Sequence, residues 1–221
     1  MAGDDAGDDA GDEGVAGLTV DRRGVLPWRG GLHIVRGRRP PERGALLVVA
    51  VGEVEADLLK DLVGELGRCL GVRVAERPPL PLPLSAFDAT RRQFYGPAVL
   101  AAVAALASEG GRCLGVADVD LFAPGSNFAL GIADARARSA LMSLYRLRPE
   151  RYGLAADPRL LRARAAKEAV HEAGHAYRLG HCPHQACVMN FSNTLEDTDK
   201  RGAGLCLGCR LRLDRALHEG R

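Results

Sequence analysis

Apolar and polar positions along the chain fall into blocks of two periods. Residues 45–51 form a continuous apolar run, Leu-Leu-Val-Val-Ala-Val after Ala45, of the length and composition of a buried strand. Residues 54–69 then switch to helical spacing, with Val54, Leu58, Leu59, Leu62, Val63 and Leu66 on one stripe. Residues 71–75 read as a second strand, so the order strand-helix-strand predicts an α/β layer. Residues 77–84 are proline-rich and predict an extended connector. Val99, Leu100, Val103 and Leu106 share a face and predict a helix over 96–108, ended by Gly110 and Gly111. Strands are predicted over 114–121 and 127–133, separated by the turn Pro124-Gly125-Ser126, with a further strand over 140–147 before Pro149. Asp157 is a fitting N-cap and Pro158 a fitting first-turn residue for a long helix. Leu161, Ala165, Ala169, Val170 and Gly174 give that helix the small and apolar positions to pack under the sheet.

Composition bounds the picture. The 221 residues suffice for one sizeable core, and nearly half are apolar. A formal net charge of +2, with the arginines scattered, speaks against duplex DNA or an anionic membrane as a partner. No stretch is long and apolar enough to span a bilayer. Residues 1–14 repeat an Ala-Gly-Asp-Asp theme, predicting a disordered acidic tail rather than a secretory signal, and residues 36–43 form a basic loop. The remainder, 15–221, reads as a single domain whose sheet and upper helices lie in 15–155. The expected setting is a cytoplasmic monomer, where six cysteines serve as metal ligands or buried thiols rather than disulfides.

The chemistry concentrates in 171–209. His171 and His175 stand one helical turn apart, so two imidazoles can converge on one metal ion, and Glu172 beside them can hold a water and take its proton. His181, beyond a turn, supplies a third nitrogen. Three protein ligands leave one position of a tetrahedral zinc open, the pattern of a catalytic site. Half of the six histidines fall in this short span, which argues against a chance grouping. Cys182, Cys187, Cys206 and Cys209 pair as Cys-x4-Cys and Cys-x-x-Cys, the pattern of a closed structural zinc; four buried thiols or two disulfides are the alternatives. The expected complement is therefore two zinc ions per chain, one catalytic and one structural. Cys69 and Cys113 have no partner motif and are expected to be buried. His184, within the cysteine loop, is expected to face solvent or to hydrogen-bond rather than to ligate.

The run from His171 to Cys209 resembles the archaemetzincins, metzincin-like zinc metallopeptidases that join a three-histidine site to a four-cysteine site through adjacent His and Cys, here His181-Cys182. Cys182-Pro183-His184-Gln185-Ala186-Cys187-Val188-Met189, Phe191-Ser192-Asn193 through Asp197-Thr198-Asp199, and upstream Asp118-Val119-Asp120-Leu121 and Asn127-Phe128 extend the likeness to roughly residues 46–213. The resemblance implies an α/β (α+β-like) metzincin-like domain with a mixed twisted sheet, an active-site helix, and a C-terminal part, 156–221, holding the four-cysteine zinc. It implies catalytic zinc on His171, His175 and His181, Glu172 as general base, and Met189 as the methionine of the Met-turn, although plain core filling would place that side chain much the same way. It implies hydrolysis of a peptide or protein substrate lying along an edge strand, for which 127–133 is the candidate.

One position departs from the pattern. The metzincins have glycine three residues after the second histidine, and this chain has Arg178. Either the helix runs slightly longer, or Arg178 adopts the left-handed conformation at a cost of about 1–2 kcal/mol. Arg178 in the turn keeps open an alternative, a zinc-stabilised binding module whose histidine site holds metal but does not turn over. Cys-x-x-Cys with scattered arginines raises a second alternative, a zinc-ribbon-like nucleic-acid binder, against which the near-neutral charge argues.

Overall fold

The computed structural model describes residues 45–109, 111–192 and 194–219. The acidic tail, the basic loop and the start of the expected 15–221 domain lie outside them. In chain order the elements are β1 (Leu46–Val51), α1 (Ala56–Leu70), β2 (Val74–Leu80), β3 (Phe87–Asp88), β4 (Gln93–Tyr95), α2 (Gly96–Ala104), β5 (Arg112–Ala117), β6 (Leu121–Phe122), β7 (Gly131–Asp134), β8 (Ser139–Ser143), α3 (Pro158–Ala176), α4 (Leu195–Lys200) and α5 (Leu207–Glu219). The main sheet has the order β2-β1-β5-β8-β7, and a small sheet has the order β3-β4-β6. All neighbours in the main sheet are parallel except β7, which runs antiparallel to β8 and forms one edge.

Alternation in β1 divides the core. Leu46, Val48 and Ala50 pack with the buried leucines of α1 and with Leu161, Ala165, Ala169, Val170 and Ala173 of α3. Val49 and Val51 point the other way, to Val99, Leu100 and Val103 of α2. A continuous apolar strand is what a sheet covered on both faces requires. The mixed sheet between helical layers is the α/β class expected.

Several boundaries moved. β2 begins at Val74 and runs through Pro78 and Pro79, where an extended connector was expected. As an edge strand it can do without those amide donors, and its pairing with β1 shifts register between Val49 and Val51. The strand expected over 114–121 is cut after Ala117, because the Asp118 and Asp120 side chains turn to Arg148 and Arg146. Of 127–133 only Gly131 onward is ladder strand, apart from a single bridge between Ala129 and Leu121. The strand expected over 140–147 ends at Ser143, with a 3-10 turn over Tyr145–Leu147, and α2 ends at Ala104, followed by a 3-10 turn over Ala105–Glu109.

Candidate metal centre and cysteine cluster

α3 begins as expected. The Asp157 carboxylate accepts from the amides of Arg159 (3.0 Å) and Leu160 (2.9 Å), and Pro158 fills the first turn. Bidentate bonds from Arg164 to Asp199 at 2.7 and 2.6 Å, and from Lys167 to the carbonyls of Thr198 and Asp199, tie the helix to α4. α4 is fixed by a reciprocal capping box between Thr194 and Asp197.

α3 stops at Ala176. The amide of Arg178 donates to the His175 carbonyl (2.8 Å) and that of Leu179 to the Gly174 carbonyl (3.0 Å), a Schellman closure with Arg178 at φ +65°. Of the two expectations for this residue, the left-handed backbone holds and the longer helix does not. The closure also aims the Leu179 carbonyl at His175 Nδ1, 2.8 Å away. Val188 O takes the same position at His171 Nδ1, again at 2.8 Å. An Nδ1 hydrogen donated to each carbonyl leaves both Nε2 lone pairs free for a metal.

The structure brings together all three predicted histidines. Their ligand nitrogens lie within 4.8 Å of one another, and the Nε2 atoms of His171 and His175 are 3.1 Å apart. A tetrahedral zinc with bonds of about 2.0–2.1 Å sets its nitrogens about 3.3 Å apart, so the donor set fits the ion. Burial and the nearby Arg201 cation push His171 down to about 3; burial also lowers His175 and His181. These shifts favour the neutral imidazoles that ligation requires. Phe191, itself exposed, packs on the His181 ring at 4.7 Å between centroids.

Glu172 is buried beside them. Its Oε2 has no hydrogen-bond partner among the described residues, and burial, reinforced by Glu168 and opposed by Arg201, holds its carboxyl well above the usual range. It lies against the edge strand, where a Cβ on Gly131 would stand 2.4 Å from its Cγ, Cδ and Oε1. Gly174 serves Met189 in the same way: a Cβ there would stand 2.4 Å from the sulfur. Met189 is fully buried beneath the helix that carries the histidines. Gly174 thus packs on Met189 rather than under the sheet.

The four predicted cysteines form the second cluster, all buried and with sulfurs within 4.8 Å of one another. Cys182 Sγ and Cys206 Sγ are 3.7 Å apart, close to the roughly 3.8 Å between sulfurs of a tetrahedral zinc with 2.3 Å bonds. None is disulfide-bonded, which removes that alternative. Burial raises Cys187 to about 11 and raises Cys209 further. At Cys206 burial also pushes upward, but the Cys209 amide and three neighbouring thiols outweigh it and lower the thiol. The clusters share backbone: Cys182 N donates to Met189 O, Asn190 Nδ2 to Cys182 O, and Val188 N to Gly204 O.

His184 belongs to neither cluster. Cys113 is fully buried as expected, whereas Cys69 is half-buried, 3.7 Å from the Ala203 carbonyl, because α1 presents it to the chain leading into the cysteine cluster. Gly131, Arg201 and Glu168 were not singled out from the sequence. Only for Glu168 was there a signal, its place one turn before Glu172 on the same helix face.

Residues 106–215 match the model of peptidase family M54. The archaemetzincin of Thermococcus kodakarensis is 37% identical over 179 residues, covering 78% of this chain and 96% of the relative. That of Pyrococcus abyssi is 39% identical over 181 residues, covering 79% and 96%. The crystal structure of the Methanopyrus kandleri archaemetzincin superposes with a TM-score of 0.71 at 32% identity, covering 81% of this chain and 98% of that one. A zinc-dependent peptidase from Methanocorpusculum labreanum gives 0.70 at 27% identity, covering 77% and 99%. With three converging histidines, two on α3 and one beyond the turn that ends it, these likenesses define a zinc metallopeptidase. Within that class, the chain belongs to the archaemetzincins, peptidase family M54.

Proposed function

We propose that His171, His175 and His181 hold a catalytic zinc, that Cys182, Cys187, Cys206 and Cys209 hold a structural one, and that Glu172 is the general base in hydrolysis of a peptide bond. The observation that carries this reading is the buried Glu172 carboxylate, with one oxygen lacking a partner among the described residues, next in sequence to an imidazole whose free Nε2 faces another. Zinc in the histidine set would supply Lewis-acid chemistry, lowering the pKa of a water toward neutrality and polarising a carbonyl. Glu172 takes the proton of the attacking water on its carboxylate and delivers it to the leaving amine. The burial that raises its pKa favours the second transfer, and Arg201 opposes the rise. Carbonyls of Val188 and Leu179 hold the two buried-side imidazoles in the ligating tautomer.

An extended substrate pairs with the free edge of β7, the edge strand that touches Glu172 through Gly131. This shortens the strand expected over 127–133 to Gly131–Asp134. The feature that kept the binding-module reading open was Arg178 in the turn, and the observed closure leaves His181 among the ligand nitrogens. The nucleic-acid reading has no supporting observation. A cytoplasmic setting agrees with six free thiols, four of them gathered as a metal set.

The test is Glu172→Ala assayed for peptide cleavage and for bound metal. Turnover is expected to fall by about 10²–10⁴-fold, the usual share of general acid–base catalysis, with zinc content unchanged. Wild-type turnover in this variant would rule the assignment out.

A further inference from the structure

Behind the histidine set lies an ion pair that takes no direct part in the proposed proton transfers. Arg201, just after α4, has a side chain only 1% exposed, and its Nη2 donates to Glu168 of α3, whose side chain is 5% exposed. Glu168 precedes His171 by three residues and Glu172 by four, on the same face of the helix. Arg201 Nη1 lies 3.0 Å from His171 Nδ1 and 3.5 Å from the carbonyl of Asn190, the residue after Met189. One guanidinium therefore touches an acid of the active helix, the back edge of a metal-set imidazole, and the Met-turn. Its position is also fixed from the other side. A Cβ on Gly202 would stand 2.0 Å from the Ala186 carbonyl, so the chain after Arg201 lies directly on the cysteine loop.

A buried ion pair adds little stability over a well-packed apolar pair, which turns attention from stability to geometry. His171 Nδ1 has two neighbours, Val188 O at 2.8 Å and Arg201 Nη1 at 3.0 Å. With the Nδ1 hydrogen given to Val188 O, the guanidinium cannot donate to that nitrogen. It acts instead as a flat stop against the ring edge, with Nη2 donating to Glu168, Nη1 directed to Asn190 O, and Nε without a partner among the described residues. The ring is then confined between carbonyl and guanidinium, with Nε2 toward His175.

We propose that Arg201, anchored by Glu168, is a positioning residue of the three-histidine centre, fixing the His171 imidazole against the Met-turn. The proposal rests on the reading of His171 as a metal ligand but not on turnover. Its test is competition for zinc by a graded series of chelators, alongside kcat and KM, on Arg201→Lys and on the neutral pair Glu168→Gln/Arg201→Met. Lysine keeps the charge but loses the planar fork; the double variant removes both charges at similar volume. Histidine-site affinity is expected to fall about 10–100-fold in each, the usual effect of losing an outer partner of a metal ligand. Zinc at the cysteine site should be kept, and kcat should fall with KM little changed. Wild-type affinity and kcat in either variant would overturn the proposal. So would loss of fold and of the cysteine-site zinc in both, which would make the pair a folding element. A wild type that binds zinc at the histidines but cleaves no peptide would sink the hydrolase reading, while the chelator measurement would still decide this one.

Discussion

Gly131→Ala is a small change aimed at the contact between the edge strand and Glu172, the proposed general base. Gly131 is absent from the positive-φ residues, so its backbone accepts alanine. The added Cβ would meet three Glu172 atoms, each at 2.4 Å. Carbon atoms in ordinary contact stand about 3.5–4.0 Å apart, so the overlap is about 1 Å or more. Either β7 moves outward, which an edge strand can do, or the carboxylate swings away. Overpacking of this kind typically costs about 1–3 kcal/mol, offset by the roughly 0.4–1 kcal/mol that Gly→Ala gains through the unfolded chain. The net loss of stability should therefore be about 2 kcal/mol or less, a few degrees in Tm. Catalysis is more sensitive, because a 1 Å displacement of a reacting group costs on the order of 10²-fold, about 2.7 kcal/mol of barrier. The assay is kcat for peptide cleavage with elemental zinc measured on the same sample. Gly64→Ala in α1 is the control, since a Cβ there has nothing within 4 Å. Zinc should be retained, kcat should fall about 100-fold, and the control should match wild type. Wild-type kcat and Tm in Gly131→Ala would mean that Glu172 does not rest against β7 in the working enzyme, and the placement of substrate along that edge would fall with it.

Two further outcomes follow from the same geometry. Arg178→Gly relieves the left-handed strain at φ +65°, about 1–2 kcal/mol, and should raise Tm by several degrees with histidine-site zinc retained; a lower Tm would mean that the arginine side chain contributes more than its backbone strain. Elemental analysis should find two zincs per chain in wild type and one in His175→Ala. One in both would leave metal on the cysteines alone.

The sequence by itself determined the elements that local chemistry dictates. The Asp157 cap with Pro158, the helical spacing of His171 and His175, and the paired cysteine spacings each depend on neighbours within a few turns. The buried run of β1 needed no more than its composition, since only a strand covered on both faces is apolar throughout. Other features were decided by tertiary structure. Pro78 and Pro79 read as a connector until β2 proved to be an edge strand, where a missing amide hydrogen costs nothing in the ladder. The strands over 114–121 and 140–147 looked longer because apolar residues continue past their ends, while bonds donated by Arg148 and Arg146 to Asp118 and Asp120 turn the chain away. Gly131 carries no legible signal and Gly174 reads only as a small packing position, for a missing side chain gains meaning only from the Glu172 or Met189 that another segment brings to it. The same holds for Arg201, thirty residues beyond the imidazole it touches. Metal-ligand chemistry is written in spacing, and the space and support around the ligands come from contacts between distant segments, which spacing does not encode.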